Sequence, residues 1–347
     1  MQTGAPQHTV SIRQVQQVLL GAQRHGLDCN ALLQRVGISP SLLDSSLSRV
    51  TPVQYAKLLR LLSRQLRNEL WGLTRTPLLP GSFNQACRLV IHSATLGDAL
   101  ASGFRFYHLL LEDFTPRLRV RGEMAHLRMV SNRPRDAALS YAERTFCFLA
   151  YGLMCWLVGR RVPVLQVTYP RDATPWGNEV ERMFAAPLMR DAPHMGLDLE
   201  ARWLRLPVVQ TPQAMEGFLR EAPDKLLVKY RDQSSLVERI RRLLRRQLTA
   251  GLPSLEEVAQ AVSLSPQTLR RRLQAEGLGY QKIKDDLRRD VAIEYLAQAD
   301  LTLLEIAARL GFSEASTFHR AFKDWTGQAP GVYRQTRLQG PENEAHH

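Results

Sequence analysis

Cysteine is scarce in this chain and nowhere grouped. Cys29, Cys87, Cys147 and Cys155 are the only 4 in 347 residues, and no two form a Cys-x-x-Cys pair. All sit in helical or apolar runs, which fits buried free thiols in a reducing cytoplasm; redox sensing is the alternative. Long hydrophobic runs are missing too. The longest, residues 146–159, is about 14 residues, where a membrane span needs about 20. No apolar segment follows the polar residues 1–7, so no signal peptide is expected and the location expected is cytoplasmic. Catalytic signatures are absent as well: no Pro-Cys-His element, no partnered His-x-x-x-His, no glycine-rich phosphate loop, no Gly-x-Ser-x-Gly. No enzyme, cofactor or metal site is expected, and His346 and His347 are too terminal to claim as one.

Acids are outnumbered. There are 33 Asp+Glu against 46 Lys+Arg, a formal net charge of +13, with a pI near 10.0. That favours polyanion partners. The excess is not local: residues 1–235 hold 29 basic against 19 acidic side chains, and residues 236–337 hold 17 against 12. Charge alone therefore locates nothing. The length suggests two or three domains, and a 44% hydrophobic content is ordinary globular material.

What is present is a repeat. Ser254, Leu255, Glu257, Val258, Ala259 and Val262 recur about 48 residues later as Thr302, Leu303, Glu305, Ile306, Ala307 and Leu310. A fixed period marks duplicated supersecondary units. Ser254 with Glu257, and Thr302 with Glu305, have the spacing of capping boxes, where hydroxyl and carboxylate satisfy orphan amides at a helix start. The apolar positions make one buried face on each short helix. Gly311 suits the positive φ that ends a helix; the first copy has Ser263 there. Second helices then open at Ser265-Pro266 and at Ser313, with Ser as N-cap. Leu269 and Leu273, like Phe318 and Phe322, face inward.

Outward go Gln267, Thr268, Arg270 and Arg271 in one copy, and Ala315, Ser316, Thr317 and Arg320 in the other. Helix, turn and Arg-bearing second helix is the shape of a helix-turn-helix, whose second helix enters the DNA major groove. Arg pairs with guanine and Gln with adenine. A lone Arg triplet such as Arg270 to Arg272 is more often a solvated face. The duplication places Arg271 and Arg320 at equivalent points and turns the reading toward DNA. Ile283, Leu287, Val291 and Tyr295 predict one helix from Lys282 to Ala299, about 27 Å long. Such a connector would let one chain read two successive major grooves of double-stranded DNA. Arg288 and Arg289 on it are candidate phosphate contacts.

These residues resemble the DNA-binding domain of the AraC/XylS family of bacterial transcription regulators. The second copy carries its signature in Gly311, Phe312, Ser313, Ser316, Phe318, Arg320, Phe322, Lys323, Gly327, Pro330, Tyr333 and Arg334. Ala329 departs from the family's usual Ser or Thr. The resemblance implies a seven-helix domain over 234–337, with helix-turn-helix units at 254–275 and 302–325. It carries DNA contact onto Gln267, Arg270, Arg271, Ala315, Ser316, Thr317 and Arg320.

Upstream, the pattern reads as α+β. Val15, Val18 and Leu19 make a helix face; Leu32, Leu33 and Val36 another; Thr51-Pro52 opens a third with Tyr55, Leu58, Leu59 and Leu62. Residues 83–91 and 96–111 read as two more helices. Two alternating strands turn at Gly122-Glu123: Leu118, Val120, Leu127 and Met129 inward, and Arg117, Arg119, Arg121, His126 and Arg128 outward. Residues 136–158 form a long apolar helix. A strand over 164–169, a helix near 178–184 and a strand over 194–199 follow. Gly26-Leu27, Thr95-Leu96, Ala99-Leu100 and Tyr169-Pro170 resemble the N-terminal effector domain of one branch of the same family, of arabinose-binding type. The expected organisation is an α+β effector domain over 1–209, a linker over 210–233 broken at Thr211-Pro212, an all-α DNA-binding domain, and a frayed tail over 338–347.

Phe104, Tyr107, His108 and Tyr151 are candidate effector contacts, although aromatics at helical spacing are more often core. Few paired acids lie among them, which suits a lipophilic effector. The function expected is an effector-controlled transcription regulator, by resemblance an activator, contacting RNA polymerase, with a homodimer formed through the N-terminal domain. A ligand-independent architectural DNA binder is one alternative. An enzyme fused to a DNA-targeting module is the other, and it lacks a nucleophile or metal constellation.

Overall fold

The computed structural model of the chain describes residues 9–170, 184, 186–221, 236–249, 251–275, 279–298 and 300–338. The chain divides into two compact units: one from residues 17–28 and 59–230, the other from 1–16, 29–58 and 231–347. The divisions fall inside two continuous helices, α1 (Ile12–Arg24) and α3 (Pro52–Leu66). The tail after Leu338, the expected helix near 178–184 (except Phe184) and residues 222–233 lie outside the described residues.

The first unit is α+β. Its five-stranded sheet runs β3-β4-β7-β5-β6, with β3 at Phe114–Arg121, β4 at Met124–Ser131, β5 at Gln166–Thr168, β6 at Leu188–Met189 and β7 at Met195–Glu200. All pairings are antiparallel except β5 with β6. The β3–β4 hairpin turns where the sequence puts it, with Gly122 at φ 57°, a left-handed angle that glycine adopts without strain. Ala125, Leu127 and Met129 are buried, and His126 and Arg128 alternate with them. Val120, expected inward, is 53% exposed near the end of the edge strand. Arg117, Arg119 and Arg121 on that strand are exposed, a pattern that discourages edge-to-edge pairing.

Helices α4 (Ser82–Val90), α5 (Leu96–His108) and α6 (Ala137–Leu157) supply most of the remaining core. The hydroxyl of Thr95 accepts the Asp98 amide at the head of α5, and the Asp136 carboxylate accepts the Leu139 amide at the head of α6. Burial raises the Asp136 pKa, but the Leu139 amide, Arg133 and Arg24 outweigh it, and the net shift is down. The segment read as linker begins instead with a helix, α7 (Pro212–Glu221). Thr211-Pro212 starts it, with the Thr211 hydroxyl accepting the Ala214 amide and Pro in the first turn. Met215, Phe218 and Leu219 pack on Phe83, Cys87, Val90 and Trp156, with Phe218 stacked on Trp156 at 4.3 Å between ring centres. That apolar face ties α7 to the α+β unit.

The second unit is helical and takes in chain from both ends. Seven helices lie among its described residues beyond 235: α8 (Leu236–Arg246), α9 (Leu255–Ala261), α10 (Pro266–Ala275), α11 (Tyr280–Leu296), α12 (Leu303–Arg309), α13 (Ala315–Thr326) and α14 (Pro330–Leu338). With them go β1 (Val10–Ser11), paired antiparallel with β2 (Arg49–Val50), and α2 (Cys29–Arg35). The expected effector domain over 1–209 is thus not one compact piece. Tyr333 on α14 donates its hydroxyl to the Arg49 carbonyl, Ser45 donates to the Thr326 carbonyl, and Thr9 donates to the Asp290 carboxylate. Leu33, Ile38, Leu42 and Val50 are wholly buried.

Within the α+β unit, Gly21 on α1 faces the backbone of the fully buried Trp71. A Cβ built at position 21 would lie 1.8 Å from the Trp71 carbonyl oxygen. Gly21→Ala should therefore destabilise the chain by ~1–3 kcal/mol, read as an earlier urea midpoint. An unchanged midpoint would show that this helix–loop contact is not formed in solution.

Candidate nucleic-acid interface and ligand cavity

The two repeated units close in the same way. Glu257 and Ser254 exchange backbone-to-side-chain bonds of 2.6 and 3.2 Å, and Glu305 and Thr302 do so at 2.7 and 3.2 Å. Those amide bonds hold both carboxyls below their ordinary range. At the far ends Ser263 takes φ 60° and Gly311 φ 74°. The Leu264 amide reaches the Ala259 carbonyl at 2.9 Å, and the Phe312 amide reaches that of Ala307 at 3.0 Å. This is a Schellman closure in each copy. Ser263 adopts the glycine conformation, so the duplication survives in backbone where it is lost in sequence.

The second helices bury the expected residues. Leu269, Phe318 and Phe322 are fully inaccessible and Leu273 nearly so. Gln267, Arg270, Arg271 and Arg272 on α10 are exposed, as are Ser316, Thr317 and Arg320 on α13; Ala315 is half-buried. Thr268 is half-buried and part of its own cap, with its amide and hydroxyl both bonded to the Ser265 hydroxyl. The start of α13 differs from expectation. Its N-cap is Glu314, which makes no side-chain cap bond, and Ser316 donates to the Glu314 carboxylate at 3.0 Å.

The arginines sort into two kinds. Arg241 pairs with Asp290 at 2.8 Å, Arg245 with Glu294 at 2.6 Å, and Arg289 with Asp286 and Asp290 at 2.7 and 3.0 Å. The first two join α8 to α11, and the Arg289 pairs lie within α11 itself. Arg270, Arg271 and Arg320 form no ion pair among the described residues and lie on the outer faces of α10 and α13. The connector α11 begins two residues before the predicted start and ends at Leu296, with Ala299 outside the described residues. Its two arginines are placed otherwise than expected. Arg289 is mostly covered and doubly paired. Arg288 is half-buried, donates its Nε to the Leu310 carbonyl at 3.3 Å and covers the Phe312 ring at 4.9 Å. Burial lowers its pKa from the usual guanidinium value. It braces the turn of the second unit.

The α+β unit encloses a cavity of about 210 Å³. Phe104 and Tyr107, two of the four candidate contacts, line it; His108 and Tyr151 do not. The His108 ring bonds to the Pro116 carbonyl at 2.6 Å, and the buried Tyr151 hydroxyl donates to the Val162 carbonyl at 2.8 Å. Both complete local structure. Apolar lining comes from Val90, Leu100, Phe146, Leu149 and Leu153 among others, and polar lining from Arg60, Ser63, Arg64 and Glu69. Sequence reasoning singled out none of these polar residues, because nothing in the spacing of Arg60 and Arg64, one helical turn apart, signals a cavity beside them. Glu69 accepts the Gly81 and Phe83 amides at 2.6 and 2.8 Å. Burial raises its pKa against those bonds. Cys87 and Cys147 are buried, and their thiols are pushed up to about 12, far from the thiolate a redox sensor needs.

Residues 26–208 match the family described as the N-terminal arabinose-binding domain of AraC transcription regulators, and residues 258–336 match a helix-turn-helix domain. The chain belongs to the AraC family of transcription regulators. An ornithine utilization regulator of Pseudomonas aeruginosa is 28% identical over 320 residues, covering 90% of this chain and 92% of its own. The regulator VirS of Mycobacterium tuberculosis is 43% identical over 101 residues, 29% of this chain and 30% of its own. The crystal structure of the regulator CdpR of Pseudomonas aeruginosa aligns over 93% of this chain and 97% of its own, at 22% identity and a TM-score of 0.30. Among the described residues no helix is long and apolar enough to cross a membrane.

In this AraC-family regulator Arg288→Ala should cost ~1–2 kcal/mol of stability through loss of the Leu310 bond and the Phe312 contact, read as a lower melting temperature. The salt dependence of DNA affinity should stay unchanged. A slope reduced by about one phosphate would return Arg288 to the DNA interface.

Proposed function

We propose that this chain is an effector-controlled regulator that reads two successive major grooves, with α10 in one and α13 in the next. The observation that carries this reading is the pair of identically closed units on one connecting helix. Each presents exposed arginine that forms no ion pair among the described residues, while Arg241, Arg245, Arg288 and Arg289 are engaged by neighbouring groups. Arg271 and Arg320 are the base-reading pair, with Gln267, Arg270, Ser316 and Thr317 beside them. Ala315 offers a methyl for thymine contact. Thr268 supports its helix start more than it reaches outward.

The cavity supports effector control, since an apolar chamber with a few convergent polar groups suits a small ligand. An effector acts by binding one state more tightly than another. Ornithine, which the relative of matching length is named for, is a poor fit. Its two amines would meet one carboxyl, Glu69, whose oxygens already accept two amides. Activation through contact with RNA polymerase and assembly as a homodimer belong to this reading by family membership.

The test is binding to fragments of the upstream and neighbouring DNA against random competitor. Arg271→Ala with Arg320→Ala should cost ~1–3 kcal/mol per contact at the specific site and leave affinity for random DNA nearly unchanged. Equal loss on both would remove these arginines from base reading.

A further inference from the structure

We propose that the polar face of the sheet in the α+β unit is a DNA-backbone surface, with Arg117, Arg119 and Arg121 on β3 contacting phosphates. This adds a sequence-independent contact to the base reading proposed for α10 and α13. It also gives a role to part of the basic excess that lies outside residues 236–337.

Alternation on the β3–β4 hairpin divides the side chains between the two faces of the sheet. Pro116, Leu118, Leu127 and Met129 share the inner face, and Arg117 and Arg119 share the other with Arg128 and His126. Arg117 stands opposite Arg128, and Arg119 opposite His126. Gly196, Asp198 and Glu200 of β7 continue that face across the sheet. Both carboxylates there are taken. Asp198 is bonded to His126 at 2.7 Å and to Arg128 at 2.5 Å, and Glu200 pairs with Arg202 at 2.6 Å. The guanidinium groups of Arg117, Arg119 and Arg121 are exposed and form no ion pair or hydrogen bond among the described residues. Glu123, in the adjoining turn, is paired with none of them.

Protection of the sheet edge accounts for charge on β3, but not for a cation facing a cation across the hairpin. Like charges directly opposite one another weaken a strand pair. Asp198 offsets the charge of Arg128, and nothing offsets that of Arg117. An anion from outside the unit would. The field of this face reaches His194, just before β7. Burial lowers its pKa first, and Arg135, Arg128 and Arg117 lower it further.

The shape of the array selects the kind of anion. Alternate residues on a strand recur every ~6.6–6.8 Å, so the three arginines form a row about 13 Å long. One small anion would touch one or two of them. A duplex strand carries a phosphate every ~3.4 Å of axis, and a row of that length meets several. Arginine suits each contact, because its planar fork matches phosphate oxygens. DNA is also the polyanion that the helical unit is read to bind, and two contacts on one chain reinforce each other through effective concentration.

The experiment measures the affinity of the full chain for the site-bearing fragment and for random duplex of equal length over a series of salt concentrations. Arg117→Gln/Arg119→Gln/Arg121→Gln should lower the slope of log affinity against log salt by about 2–3, near 0.9 for each phosphate lost. The loss should be equal on both duplexes, so the ratio of specific to random affinity stays unchanged. The matching Lys variant keeps the charge and should keep the slope. Neither variant should melt earlier than the unaltered chain, because these side chains have no partners to lose. The proposal is overturned if the Gln variant keeps the full slope, if the Lys variant loses as much as the Gln variant, if only specific affinity falls, or if the Gln variant melts earlier. Vesicles of phosphatidylglycerol and phosphatidylcholine are titrated alongside. Vesicle binding that the Gln variant loses, with DNA slopes unchanged, would overturn it in favour of a membrane surface. Arg271→Ala/Arg320→Ala separates the two readings. Specificity lost in that variant, with no effect in the Gln variant, would sink this proposal and spare base reading by α10 and α13. A lowered slope in the Gln variant of a chain without sequence preference would do the reverse.

Discussion

The helical unit depends on one buried carboxylate. Asp290 sits in the middle of α11, 2% exposed, and accepts bonds from Thr9, Arg241 and Arg289. A charge so far from water persists only when it is paired and hydrogen-bonded. Its partners come from the start of the chain, from α8 and from α11 itself. One group therefore fixes three segments, and removing it would leave Arg241 and Arg289 without their shared anion. Asp286, one turn earlier on the same helix, extends the cluster. Burial raises its pKa, but Arg289 and Lys282 prevail and hold it below its usual value.

From that anchor the proposed DNA-reading surface follows. α11 is continuous from Tyr280 to Leu296, about 26 Å at the helical rise. The duplicated units flank it in sequence, the second braced by Arg288 against Leu310 and Phe312. Charge placement then separates structure from function. Arg241, Arg245, Arg288 and Arg289 have carboxylates, a carbonyl or a ring beside them. Those on the outer faces of α10 and α13 meet solvent, where DNA phosphates and guanine edges can replace water.

Local signals were the legible part of the sequence. The capping boxes at Ser254 and Thr302, the inward Leu269 and Phe318, the Gly122 turn and the Asp136 cap all depend on residues a few positions apart. What depends on distant partners was not legible. Nothing near Thr9 or Arg49 announces Asp290 or Tyr333, more than 280 positions away, so the first fifty residues read as part of the effector domain. Thr211-Pro212 carries the same helix-start signal as Thr51-Pro52 but lay in a polar stretch and read as a break. Arg288 and Arg64 look alike in sequence. Packing braces a turn with one and leaves the other among the residues that line a cavity. Of the four aromatic and histidine candidates for the effector, Phe104 and Tyr107 reach the cavity, and His108 and Tyr151 do not. Helical spacing alone cannot tell a cavity wall from a filled core.

The central claim is that two recognition helices on one connector read DNA together. Guanine methylation interference on the specific site tests it most directly, because it maps major-groove contacts base by base. The account predicts two clusters of interfering guanines with centres about 10 base pairs apart, one helical turn, for a single bound chain. One cluster only, or two at a spacing that puts them on opposite faces of the duplex, would contradict it.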